Sequence, residues 1–116
     1  MLDRKKIGRD GEDSAVNYLV SIGYLILHRN YHIGRSCEID IIARIGDMIC
    51  FVEVKTRNNS SFGSPAESVT RSKQMKIKGI ANLYSSRIGN PSLNYRFDII
   101  EVMPLSASIR HIMNAF

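Results

Sequence analysis

Apolar residues recur along this chain with two different periods, and the switches between them mark the elements. Over residues 10–22, Ala15, Val16, Leu19 and Ile22 follow the three-and-four spacing of an amphipathic helix, and Gly23 is the expected stop. One turn back along that face lies Glu12, so the helix is expected to begin with an acid that points along its buried side. Residues 24–31 read as a first strand, and a polar loop with Gly34, Arg35 and Ser36 follows. Residues 38–44, Glu-Ile-Asp-Ile-Ile-Ala-Arg, form a second strand, and Met48 to Lys55 a third. Between them Gly46-Asp47 suits a two-residue type II′ turn, with glycine at the first central position. A loop rich in Arg, Asn, Ser, Gly and Pro runs from Arg57 to about Glu67, long enough to be a functional segment. A second helix is predicted over 71–85, with Gln74, Ile77, Ala81 and Tyr84 along one face. The Gly89-Asn90-Pro91 turn then leads to a strand over 95–102. In the tail from Pro104, the spacing of Ile109, Ile112 and Phe116 suits either an edge strand or a short helix.

The order α-β-β-β-α-β, with a hairpin in the middle and a strand arriving through a helix, predicts an α/β fold: a mixed central β-sheet flanked by helices. With 116 residues the chain is expected to form a single domain, 1–116, whose core needs neither disulfides nor a structural metal. A composition 44% hydrophobic and 23% charged excludes the disordered and fibrous classes. Basic residues at the N-terminus are not followed by an apolar run of signal-peptide length, and no segment approaches a membrane span. A soluble, cytoplasmic protein without membrane contact is therefore expected.

The predicted turn places the charges. If Gly46 and Asp47 are the loop residues, Ile45 opposes Met48, Ile42 opposes Phe51, Asp40 opposes Glu53, and Glu38 opposes Lys55. Opposed residues share a sheet face, with β-carbons about 4.5–5.5 Å apart. Two carboxylates that close repel, or force one to stay protonated, unless a cation lies between them. A hard divalent ion takes such a pair together with waters and phosphate. Lys55, two residues beyond Glu53, projects to the same side. The alternative reading, a solvated salt-bridged stripe on an exposed face, stays open at this point. The same register puts Cys37 and Cys50 on the order of 20 Å apart, so both are expected to be reduced.

The net charge of +5, with a pI near 9.5, favours a polyanionic partner without specifying one. Setting aside Glu12, Glu38, Asp40 and Glu53 leaves seven of the eleven acids against 16 basic residues, so the basic excess lies outside the acidic group. Arg9, Arg35, Arg57, Arg71, Lys73 and Lys76, with Arg4, Lys5 and Lys6, are the candidates for a nucleic-acid-contacting rim.

Gly8-x-x-Gly11-Glu12-x-x-Ala15, Glu38-Ile39-Asp40, Glu53-Val54-Lys55 and Lys73-Gln74, in that order and spacing, resemble the PD-(D/E)XK nuclease superfamily. More narrowly, they look like the YraN-like family of small bacterial proteins related to archaeal Holliday-junction resolvases. The likeness runs from about Ile7 to Val102. It implies a restriction-endonuclease-like fold and a Mg²⁺- or Mn²⁺-dependent DNA endonuclease, resolvase-like and selective for branched DNA. Asp40, Glu53 and the Val54 carbonyl would hold the metal, with Glu12 completing its shell. Lys55 would orient the attacking water, Gln74 would support the site, and a homodimer is implied as a possibility. Relatives usually carry glycine directly before Glu-Ile-Asp, where this chain has Ser36-Cys37. Two further readings are a nuclease-fold module that binds nucleic acid without cutting it, and a protein-interaction module.

Overall fold

A computed structural model describes residues 4–35, 37–57 and 69–116. Its elements are α1 (Arg4–Ser21), β1 (Leu25–His32), β2 (Glu38–Ile45), β3 (Met48–Thr56), α2 (Arg71–Ile88), β4 (Asn94–Met103) and, after a 3-10 turn at Pro104–Ser106, β5 (Ser108–Ile112). The five strands form one mixed sheet in the order β1-β2-β3-β4-β5. All neighbours are antiparallel except β3 and β4, which run parallel and are joined by the α2 crossover that parallel neighbours need. The predicted α/β architecture is therefore present, and the tail resolves as an edge strand.

Each face of the sheet carries its own apolar layer. Ile42, Ile49, Phe51 and Ile99 pack with Ile77, Ile80, Ala81 and Tyr84 of α2. On the other face Ile41, Ala43, Cys50, Val52 and Ile100 pack with Ala15 and Leu19 of α1. Alternation along β3 thus sends Phe51 and Glu53 toward α2, and Val52 and Val54 toward α1. The hairpin turn has the predicted geometry: Gly46 lies at φ 57° while Asp47 is not in the left-handed region, as type II′ requires.

The helix boundaries differ from expectation. α1 begins at Arg4 rather than Asp10, because the stretch 4–9 contains good helix formers but no apolar repeat to reveal it. Glu12 therefore sits in the third turn, not at the start. Ile22 was expected on the buried face of this helix, but it lies past the helix end and is 43% exposed. Gly23, at φ 99°, turns the chain there so that Tyr24 enters the core instead. α2 runs on to Ile88, where Gly89 at φ 63° caps it by donating its N–H to the Ser85 carbonyl. Cys37 and Cys50 are free thiols. Most of the predicted loop, residues 58–67, lies outside the described residues, as do the side chains of Arg4, Lys5 and Lys6. Among the described residues no helix is long and apolar enough to cross a membrane.

Candidate functional site

The β2/β3 ladder runs as predicted from Ile45 and Met48 to Ile41 and Val52, and there it stops. Asp40 and Glu53, expected to be the next opposed pair, are not ladder partners. The Asp40 side chain enters the gap instead, and its Oδ2 accepts the Val54 N–H at 2.8 Å. The pleat is interrupted at the same point. Ile39 and Ile41 are two residues apart yet pack in opposite apolar layers. Across from Asp40, Asn30 of β1 takes a left-handed conformation at φ 51°. In an extended strand a residue's N–H and C=O point to the same side, so the Val54 carbonyl faces the gap that Asp40 fills.

The two acids nevertheless sense each other. Burial, and then the neighbouring Glu53 charge, push the Asp40 pKa up to about 6, against the Val54 N–H, Lys73 and Lys55, which pull it down. Glu53 is 1% exposed. Among the described residues its ion-pair partner is Lys73 from the first turn of α2, with Nζ 2.7 Å from Oε2. That approach is an ion pair by distance but lacks directed hydrogen-bond geometry. Oε1 has no donor at all among the described residues. Burial alone would depress the Lys73 ammonium, but Glu53, and behind it Asp40, outweigh this and leave its pKa raised.

Thr70 caps α2 by accepting the Lys73 N–H, which fixes the backbone from which that lysine reaches down. Beside the acids opens a cleft of about 380 Å³, lined by Cys37, Glu38, Asp40, Thr70, Ser72, Lys73 and Lys76. A neighbouring depression lined by His32, Gly34 and Arg35 shares Cys37 and Glu38 with it. Of the nine basic residues proposed as a rim, Lys73 and Lys76 thus line the cleft and Arg35 lies next to it. Arg9 and Arg71 are exposed on the helices, and Arg57 pairs with Glu101, Nε to Oε2, at 3.1 Å.

Glu12 is carried close by a tight helix-to-strand contact. A β-carbon on Gly11 would collide with the Thr56 hydroxyl at the end of β3, so α1 can lie this near only with glycine there. Burial first, then Asp40, raise the Glu12 pKa. It stands beside the pair without closing on it, and no three His, Cys, Asp or Glu side chains among the described residues converge into a metal cage. Gln74 donates its amide to the Val69 carbonyl, 3.0 Å away, and so secures the chain entering α2. Lys55 is partly buried on the Glu53 side of β3, opposite Glu101 of β4. Glu101, itself 1% exposed, has no counterpart among the sequence-derived candidates. Its signal was available, since Ile99-Ile100-Glu101-Val102 sets an acid into an apolar strand as Phe51-Val52-Glu53-Val54 does.

A mixed sheet that brings the buried Glu53 and the half-buried Asp40 to parted strand ends, with Lys73 against them, defines an α/β protein with a charged cleft at those ends. The chain belongs to the family described as Uncharacterised protein family UPF0102, whose model matches residues 11–102. That span includes every candidate site residue except Arg4, Lys5, Lys6 and Arg9. The UPF0102 protein of Clostridioides difficile (strain 630) is 49% identical over 115 residues, covering 99% of this chain and 100% of its own. The UPF0102 protein of Alkaliphilus oremlandii (strain OhILAs) is 50% identical, with 97% and 98% covered. That of Dictyoglomus thermophilum (strain ATCC 35947 / DSM 3960 / H-6-12) is 44% identical, with 99% and 100% covered.

Proposed function

We propose that this chain is a cytoplasmic, divalent-metal-dependent endonuclease that hydrolyses phosphodiester bonds in DNA, with selectivity for branched, Holliday-junction-like substrates. The observation that carries this reading is the buried Glu53 carboxylate, one oxygen without a donor among the described residues, beside an Asp40 whose pKa is pushed up to about 6. Buried polar groups are nearly always partnered, and a short-handed pair of carboxylates is what a hard cation satisfies. Asp40, Glu53 and the Val54 carbonyl offer the all-oxygen donor set that Mg²⁺ or Mn²⁺ prefers, with Glu12 at its edge. Such an ion, when bound, acidifies its water and neutralises charge on a phosphate.

The chain's own groups supply the rest. Lys55 orients the attacking water from the Glu53 side of β3. Lys73, Lys76, Thr70 and Ser72 hold the substrate phosphate in the cleft, and Arg35 extends the cationic path along the backbone. A symmetric homodimer would offer one such cleft to each of the paired strands of a junction.

A second reading, a nuclease-fold module that binds nucleic acid or protein without cutting, is favoured by one observation: Lys73 already balances the Glu53 charge. Cleavage of labelled four-way junction, flap, single-stranded and duplex DNA with Mg²⁺ or Mn²⁺ separates the two. The wild type should cut at least the branched substrates, while Glu53→Gln and Lys55→Ala should lose about 10²-fold or more in rate. A wild type that cuts none of them, or variants that cut equally well, would remove the catalytic reading.

A further inference from the structure

Lys73 is an unusual residue for its place. It occupies the first turn of α2, where the helix dipole disfavours cations, and that turn contains no acid at all. An exposed lysine gains little from a surface ion pair. Yet this one, with 39% of its side chain exposed, turns inward to a carboxylate whose side chain is 2% exposed. The backbone it springs from is pinned by the Thr70 cap, so only the four-carbon stem has to move for the ammonium to change places.

We propose that Lys73 is a built-in counter-cation of the Asp40/Glu53 pair, competing with a divalent metal for Glu53: metal entry expels the ammonium into the cleft, where it meets a substrate phosphate. This rests on the metal-dependent reading above. The competition is steric as well as electrostatic. An ammonium 2.7 Å from Oε2 crowds the oxygen that a metal would bind, and a divalent ion at its bonding distance of about 2.1 Å would repel it. The expelled side chain has a place to go, because Thr70, Ser72 and Lys76 line the adjoining cleft and present hydroxyls and a second cation to an anion. One lysine thus serves two partners in turn. It keeps Glu53 and the neighbouring Asp40 from standing uncompensated in the metal-free protein, and it contacts the phosphate only once metal is in place.

Two measurements test this. Free Mn²⁺, followed by its electron paramagnetic resonance signal, should bind Lys73→Met about tenfold more tightly than the wild type, because the competing charge is gone. Lys76→Met, which lowers the charge of the same cleft without touching Glu53, should change affinity less than about threefold. In the wild type, acetylation of Lys73 read by mass spectrometry should speed up when Mn²⁺ is added, while Lys78, lying over Phe97 and Phe116, stays constant. If Mn²⁺ binds but Lys73 acetylation is unchanged or slower, or if both variants shift affinity equally, the displacement is wrong and the metal site stands. If Mn²⁺ binds none of the three proteins, the metal-dependent reading itself falls, and the displacement with it.

Discussion

Two acidic sites of the sheet, Asp98 on one face and the Asp40/Glu53 pair on the other, meet opposite fates. Asp98 of β4 lies on the α1 side. Arg96 grips it from Nε at 2.7 Å and Nη2 at 2.8 Å, His111 Nε2 from β5 at 2.7 Å, and the Asn114 N–H at 3.0 Å. Its partners are held in turn: Arg96 donates to the Tyr24 hydroxyl, and the His111 ring meets Tyr18. Burial would raise the Asp98 pKa, but His111, Arg96 and Asn114 outweigh it and hold the acid below the ordinary carboxylate range. On the α2 side, burial and a like charge lift Asp40 to about 6, and Glu53 keeps an oxygen without a donor among the described residues. Burial is common to both places, so burial does not distinguish a structural acid from a functional one. The partners differ: Asp98 has four hydrogen-bond contacts, whereas Glu53 is held by an ion pair to Lys73, and Glu101, likewise without a hydrogen-bond partner among the described residues, by one to Arg57. Asp98 is finished by the fold, whereas the Asp40/Glu53 pair has Lys73 as its ion-pair partner.

The contrast can be broken most sharply at Asp98. Asp98→Ala would leave Arg96 and His111 buried without their anion, and should cost about 3–5 kcal/mol in urea unfolding. Glu53→Gln removes a buried charge whose partner, Lys73, is 39% exposed and can turn to solvent, and should lie within about 1 kcal/mol of the wild type, or above it. Equal losses at both sites would erase the distinction.

Acid gives the second test, and the two acids carry opposite signs. Because the Asp40 pKa is raised on folding, the metal-free folded protein binds its proton more tightly than the unfolded chain does. The Asp40 contribution to stability is therefore fully present below the unfolded value near 4 and is lost as pH rises through about 6. Asp40→Asn should abolish a fall on the order of 2 kcal/mol across that window. Asp98, with its lowered pKa, contributes stability above its unfolded value that disappears as pH falls below it. A wild type and an Asp40→Asn variant with parallel stability profiles between pH 4 and 6 would count against the raised carboxylate.

The smallest effect concerns the arm that bears Lys73. Thr70→Ala removes the α2 cap and should cost about 1 kcal/mol in global stability. Amide exchange should show the loss concentrated in the first turn of α2, leaving the Asp98 network unmoved. Uniform loosening of both regions would mean that the two acids share one cooperative unit.

How much of this was legible in the sequence depends on how far apart the interacting residues lie. The hairpin register followed from Gly46 and Asp47, because a two-residue turn fixes every nearby pair, and it held to Ile41 and Val52. It gave no warning that the ladder would end there. The stop depends on Asp40 finding the Val54 N–H and on Asn30 turning left-handed in a third strand. Lys73 was visible as a basic helix residue, but its pairing with Glu53 is set by how α2 docks, which no local pattern encodes. The Asp98 network was invisible for the same reason, since it draws Tyr18, Tyr24, Arg96 and His111 from both ends of the chain. The tail stayed ambiguous because an edge strand of five residues has one apolar neighbour and no repeat long enough to declare a period.

The hairpin of β2 and β3 works as a pair of tongs. Its closed end is the Gly46-Asp47 turn, tied down where the Asp47 carbonyl accepts the Asn94 N–H at 2.8 Å. Its tips part around the Asp40 carboxylate. Chemistry placed at the tips can be altered without disturbing the grip, because a change at Asp40 removes one terminal hydrogen bond and leaves every ladder pair behind it intact. For a lineage of proteins built on this hairpin, the acids are therefore the parts that can be gained, traded or lost most cheaply, while the turn that aims them has to stay.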